Sequence, residues 1–410
     1  MTPVKNLILL ILLILTSFTV HASDTSSQEV LLAEEVFNNV DNLIEDKKYE
    51  SAWTLLHEHA ESLDFADLII KKTELCLRYF VLTNRHGMFA FTDLEGDENL
   101  LELRKQQNNY ELKLFDPEGG LKMALQGSPD RGELYYWLGE FYNEVLSFYG
   151  DTWNETQDDL RNHIQENFEK ALSLGMETED IYAKLAHTEL LKGEWDQAAE
   201  HLTQAMAYDR EDAAYYQNLA IAQLNLDRLA QAEVNAELAI NLYTDPLYKA
   251  DTCFLASTIA LYRSRTDSAA DYLNKGFKLS PGDFRFPDRL IRLHLSQENY
   301  EDARRSAEDL FGLYPENPET CNTIIQYFFS HQRLDETRGF FETQLKKYGE
   351  RPEVMGNLYF HQAVASHYQG LEYEALDLFD LAEEEFNKTD PPNPLVFDAI
   401  KKMRGIISGQ

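Results

Sequence analysis

Apolar residues recur through the middle of this 410-residue chain at an interval that neither a strand nor one long helix explains. In "EWDQAAEHLTQAMAYD" (194–209) and "RLAQAEVNAELAINLY" (228–243), Ala198, Ala205 and Tyr208 return as Ala232, Ala239 and Leu242. Leu185-Ala186 returns as Leu219-Ala220, and Gly193 as Asp227. Each interval is 34 residues. Within one interval the apolar positions keep helical spacing over about 180–192 and 196–208, with a short polar turn between them. The pattern predicts paired amphipathic helices, with small residues where the two helices of a pair approach closely. One pair cannot bury its apolar face alone, so pairs must stack on their neighbours.

Other stretches carry the same marks. "ELYYWLGEFY" (133–142) has Leu138-Gly139 and Tyr142, and "GEWDQAAEHLTQA" (193–205) has Trp195, Ala198, Leu202 and Ala205. "NYEDARRSAEDLFGLYPENP" (299–318) has Tyr300, Ala303, Ala307 and Pro315, with Pro281 one interval earlier. Degenerate copies lie at 265–281 (Ala269, Leu273, Gly276), at 333–348 (Thr337 where alanine is expected) and at 370–386 (Ala375, Phe379, Ala382). "DKKYESAWTLLHEHAE" (46–61) reads as the second helix of a pair. These motifs resemble the tetratricopeptide repeat family, well over 132–386 and loosely over 28–131. The resemblance implies an all-α fold, a right-handed superhelical solenoid whose first helices line a concave groove for a peptide or partner protein.

The expected organisation is a signal peptide at 1–22 and an N-terminal helical region at 23–131 with degenerate repeats and an insertion at 85–118. A repeat solenoid follows at 132–388, then a capping helix and tail at 389–410. Residues 85–118 fit no repeat register, and "YGDTWNETQ" (149–157) lengthens the turn inside one pair. Insertions between helices emerge at one face and are common partner contacts.

Charge narrows the partner. Lys and Arg number 37 against 71 Asp and Glu, a net charge of −34. Nucleic-acid binding needs a basic footprint, so that class is set aside. The start, "MTPVKNLILLILLILTSFTVHAS", has Lys5, an uncharged run from Leu7 to Val20, and small residues at Val20 and Ala22. It reads as a signal peptide cut after Ala22, the alternative being a retained anchor. The expectation is an exported protein, periplasmic or secreted, without a membrane span once the signal is removed. The three cysteines, Cys76, Cys253 and Cys321, form no C-x-x-C pair. Cys253 and Cys321 stand two intervals apart, too far for a disulfide, so buried free thiols are expected.

No nucleophile elbow, phosphate loop, dinucleotide fingerprint or zinc-protease motif occurs. His57-Glu58-His59 is no metal pair, because residues two apart on a helix face different ways. The chain is read as a non-enzyme with no cofactor and no metal. In "GDFRFPDRLIRLHLSQ" (282–297), Arg285, Arg289 and Arg292 recur at i, i+4 and i+7 on one helix face. In the repeat register this face lines the groove, with Asn322 and Gln326 next door. Arginine suits fork-like carboxylate recognition; the competing reading is pairing with neighbouring acids. Some family members grip C-terminal tails with Lys, Asn and Arg. At the corresponding positions this chain has Ala183 and His187, Gln217 and Asn218, then Cys253 and Phe254, so only Asn218 matches that clamp.

The function expected is a protein-binding scaffold or adaptor. The alternative is a solute-binding or transport-accessory protein with an enclosed cavity. A homo-oligomer is compatible with the sequence.

Overall fold

The computed structural model describes residues 33–106, 109–389 and 394–408. The signal-peptide reading falls outside the described residues. The chain divides into two compact units, 1–209 and 210–410.

The first unit begins with α1 (33–45) and α2 (Tyr49–Glu58), then α3 (Phe65–Arg78). A small antiparallel sheet follows, built from β1 (Leu82–Asn84), β2 (Met88–Ala90) and β3 (Lys113–Leu114) in the order β1-β2-β3, with the short α4 (Leu100–Leu103) between β2 and β3. Then come α5 (Pro117–Gly127), α6 (Gly132–Tyr149), α7 (Gln157–Ser173), α8 (Glu179–Lys192) and α9 (Trp195–Tyr208). The second unit holds five hairpins: α10/α11 (Ala213–Asn225, Leu229–Leu242), α12/α13 (Pro246–Tyr262, Thr266–Leu279), α14/α15 (Arg285–Ser296, Tyr300–Leu313), α16/α17 (Pro318–Ser330, Thr337–Lys347) and α18/α19 (Pro352–Tyr368, Glu372–Phe386). A last helix, α20 (Pro394–Ser408), packs on α19 through Ile400.

The turn inside most hairpins explains the repeat. At Gly193 the backbone enters the left-handed region, the Gly193 N–H reaches the Leu190 carbonyl, and the Glu194 N–H reaches the Glu189 carbonyl. This closes the last turn of α8 and satisfies two carbonyls that the helix end leaves free. The same six-to-one bond closes α1 (Lys48 to Leu43), α10 (Arg228 to Gln223), α12 (Arg265 to Ala260), α14 (Asn299 to His294), α16 (Arg333 to Phe328) and α18 (Leu371 to Ser366). The left-handed residues are Lys47, Asp227, Ser264, Glu298, Gln332 and Gly370. Hence only two of these turns show a glycine in the sequence.

Small residues stand where helices cross. Ala186, Ala198, Ala205, Ala220, Ala232 and Ala239 are fully buried. A methyl on Gly139 would lie 2.7 Å from the Phe168 ring, and one on Gly276 would lie 2.2 Å from the Phe286 ring. Thr337 replaces alanine without leaving an orphan hydroxyl, since its Oγ1 donates to the Leu334 carbonyl. A polar rung joins some hairpins: His201 Nδ1 lies 2.9 Å from both oxygens of the fully buried Glu189, and one repeat later Asn235 donates to Gln223 at 2.8 Å.

The all-α expectation omits the three-stranded sheet; the rest is a tetratricopeptide-type helical solenoid. The sheet lies between α3 and α5, which pack on each other. It therefore takes the place of a hairpin turn, as residues 150–156 do between α6 and α7. The two insertions meet. Arg85 donates to Asn154 Oδ1 at 3.1 Å and lies over the Trp153 ring, and His86 Nδ1 is 2.9 Å from the Tyr149 hydroxyl. Cys76, Cys253 and Cys321 are buried free thiols.

Candidate functional site

In the second unit, contacts between first helices join α10 to α12, α14 to α16 and α16 to α18. Side chains bridge α12 and α14, because Phe254 on α12 meets Phe286 on α14 edge to face at 5.8 Å. On this face the arginine stripe becomes a ladder of cations and rings. Arg285 and Arg289 lie over Phe254 at 5.3 and 4.9 Å, and Arg292 lies over Tyr327 of α16 at 5.7 Å. Such contacts favour the charged form and fix the planar group.

Neighbouring acids neutralise part of the stripe. Arg285 binds Asp283 at 2.6 Å and Asp251 of α12 at 2.5 Å; these bonds hold its guanidinium firmly charged, raising its pKa, with Asp283 the larger cause. Arg292 binds Asp288 at 2.7 Å. Asp288 also accepts from the Tyr327 hydroxyl at 2.5 Å, and that phenol is pushed up to about 12, first by burial and then by this bond. Arg289 is half-buried; burial, and then Arg292, lower its pKa.

The other expected residues divide. Gln326 is exposed on α16 and donates to Asn322 at 3.4 Å, while Asn322 donates to Glu319 at 3.3 Å. Asn218 is half-buried on α10. His187 is exposed on α8, in the first unit. The structure thus brings Arg285, Arg289 and Arg292 together and places Asn322 and Gln326 on the neighbouring first helix.

Sequence reasoning missed Asp251, Asp288 and Tyr327. Asp251 had a readable signal, since it stands one 34-residue interval before Arg285 on the same helix face. Opposite charges at equivalent positions of adjacent hairpins face each other. A cleft of ≈ 590 Å³ near the ends of α16 and α18 is lined by Phe329, Gln332, Asp335 and Tyr368 and opens to solvent. Among the described residues no group of three His, Cys, Asp or Glu side chains is placed to hold a metal ion, and no helix is long and apolar enough to cross a membrane.

No protein-family model matches the chain. Among curated proteins it is similar to the anaphase-promoting complex subunit cut9 of Schizosaccharomyces pombe, 24% identical over 275 residues, which is 65% of this chain and 36% of that protein. The chain therefore spans about a third of the length of that relative. Among solved structures it resembles a tetratricopeptide repeat protein from Parabacteroides merdae (TM-score 0.40, 13% identity, 67% of this chain and 98% of that one). It also resembles the C-terminal part of a repeat-containing protein from Cytophaga hutchinsonii (TM-score 0.42, 12% identity, 65% and 98%). The tetratricopeptide class itself rests on the hairpin geometry above.

Proposed function

We propose that this chain is an exported, non-catalytic scaffold that holds an extended segment or helix of a partner protein against the first helices of its second unit. Export rests on the sequence of residues 1–22 alone. One observation carries the binding role: the ladder of Phe254, Arg285, Arg289, Arg292 and Tyr327 on three successive first helices, in a chain of net charge −34. The acidic remainder repels an anionic partner elsewhere, so the contrast in potential fixes where a carboxylate-bearing segment lands.

Reversing two charges tests this reading. Arg289→Glu with Arg292→Glu is expected to leave the melting temperature nearly unchanged, because both side chains are partly exposed. The double variant should capture less partner from the exported fraction, and the loss should shrink as salt screens the stripe. A large fall in melting temperature, with capture unchanged per folded molecule, would assign the arginines to stability alone.

A further inference from the structure

The hairpin α16/α17 turns differently from the others of the second unit. Elsewhere the second helix starts on the residue after the six-to-one bond: Leu229 after Arg228, Thr266 after Arg265, Tyr300 after Asn299 and Glu372 after Leu371. After Arg333 the chain instead makes a single 3₁₀ turn, Leu334–Glu336, and α17 begins only at Thr337. The tighter coil of a 3₁₀ turn aims its side chains differently from an α-helical start. Asp335 of this turn lines the open cleft of ≈ 590 Å³.

The apolar wall of the cleft is a pair of rings. Phe329 stands one 34-residue interval after Leu295, yet Leu295 is 2% exposed and Phe329 is 53% exposed. Its ring meets that of Tyr368, itself more than half exposed, at 5.4 Å with the planes inclined by 46°. Each ring steadies the other and both leave a face in water.

The rest of the lining is polar. Gln332, Asp335 and Gln369 face the cleft, and among the described residues their side chains have no hydrogen-bond or ion-pair partner. No lysine or arginine is among the lining residues. Arg333, next in the chain, is bound to Glu336 and lies over the Tyr300 ring, and His367 lies 2.9 Å from Glu372. A carboxylate only accepts hydrogen bonds, and a carboxamide both donates and accepts. Neighbouring hydroxyls on one sugar ring can donate to both oxygens of a carboxylate. The C–H face of that ring carries slight positive charge and suits the electron-rich face of an aromatic ring. An anionic ligand finds no cation here and meets a chain of net charge −34. The cleft has the size usual for small-ligand sites, about 300–1,000 Å³.

We propose that this cleft binds an uncharged oligosaccharide. Phe329 and Tyr368 take the C–H faces of its pyranose rings, Asp335 accepts from a pair of hydroxyls, and Gln332 and Gln369 bond to the remaining polar groups. The site goes beyond the scaffold reading and does not depend on the arginine stripe.

Two flat probes distinguish the polar groups recognised. Cellotriose carries hydroxyls alone; N,N′,N″-triacetylchitotriose adds acetamido groups that can pair with the two carboxamides. Ligand-observed NMR with the full chain is expected to detect at least one of them, with the strongest saturation transfer at ring C–H protons. Phe329→Ala and Tyr368→Ala should each lower affinity about tenfold with nearly unchanged melting temperatures, since both rings are largely exposed. Asp335→Ala should weaken the probe, and Asp335→Asn should recover part of the loss. Added salt should change little, because the ligand is neutral. Arg289→Glu with Arg292→Glu should bind the sugar as the parent does, which separates this site from the scaffold reading. Absence of binding by both sugars at millimolar concentration overturns the proposal, as does full affinity in both ring variants. Salt-sensitive binding of tetramethylammonium in place of the sugars would mark a cage for organic cations and would also overturn it.

Discussion

Truncating Phe286 to alanine is expected to destabilise the second unit by about 3–5 kcal/mol, the usual range for emptying a buried aromatic site. Phe286 is fully buried on α14, where it packs against Phe254 and fills the hollow above Gly276 of α13. The same contact makes Gly276→Ala unfavourable. An exposed helical glycine replaced by alanine gains up to about 1 kcal/mol. Here the added methyl would meet the Phe286 ring at 2.2 Å, and overpacking of this kind costs about 1–3 kcal/mol. Gly312 of α15 is exposed and, among the described residues, has no atom within 4 Å of the added position, so Gly312→Ala should stabilise. Urea unfolding of the three single variants and of the Gly276→Ala, Phe286→Ala pair checks this. The pair should cost less than the sum of its members, because the methyl enters the space the ring has left. Strict additivity would show that the two residues do not share a contact.

Acidification should unlatch part of the first unit through His86. This side chain is 2% exposed within a ring of Phe80, Phe89, Phe141, Phe148 and Tyr149, and its Nε2 has no hydrogen-bond partner among the described residues. Burial first, and the nearby Arg104 second, push its pKa down from 6.5 to about 4. Glu144 also acts on Arg104 and Tyr149 there, and Arg85 adjoins His86 in the turn. The folded state keeps His86 neutral, so below pH 6.5 the unfolded chain binds the proton more readily. Stability therefore rises with pH between about 4 and 6.5 and is lost on acidification through that window. At about 1.4 kcal/mol per pH unit, the contribution is about 3 kcal/mol at most. Arg85 and His86 both have positive φ, so asparagine is the suitable non-titrating replacement. Unfolding free energy at pH 7 minus that at pH 4 should be smaller in His86→Asn than in the parent. An equal difference would place the pH dependence elsewhere.

Much of this architecture could be read from the chain. The interval of 34 gave the hairpins at 179–208 and 213–242 almost to the residue, because burial and helix crossing act on local sequence. Residues 85–118 could not be read, since their strands are two or three residues long and their turn packs against 149–154, distant in sequence. The six-to-one turn bond was equally hidden, because Lys47, Ser264, Glu298 and Gln332 carry no sequence mark of the left-handed conformation they adopt. The spacing of Arg285, Arg289 and Arg292 placed them on one face. Which of them is neutralised depends on Asp251 and Asp288, and that is a property of packing rather than of spacing.

Whether a partner sits on the first-helix face of the second unit can be read most directly by site-specific photocrosslinking. A photoreactive residue at Gln326, exposed on α16, is compared with one at Arg305, exposed on α15 on a second helix. Cells producing each variant are irradiated and adducts are identified by mass spectrometry. The account predicts a discrete adduct from Gln326, diminished by Arg289→Glu with Arg292→Glu, and none from Arg305. An adduct from Arg305 with none from Gln326 would contradict it.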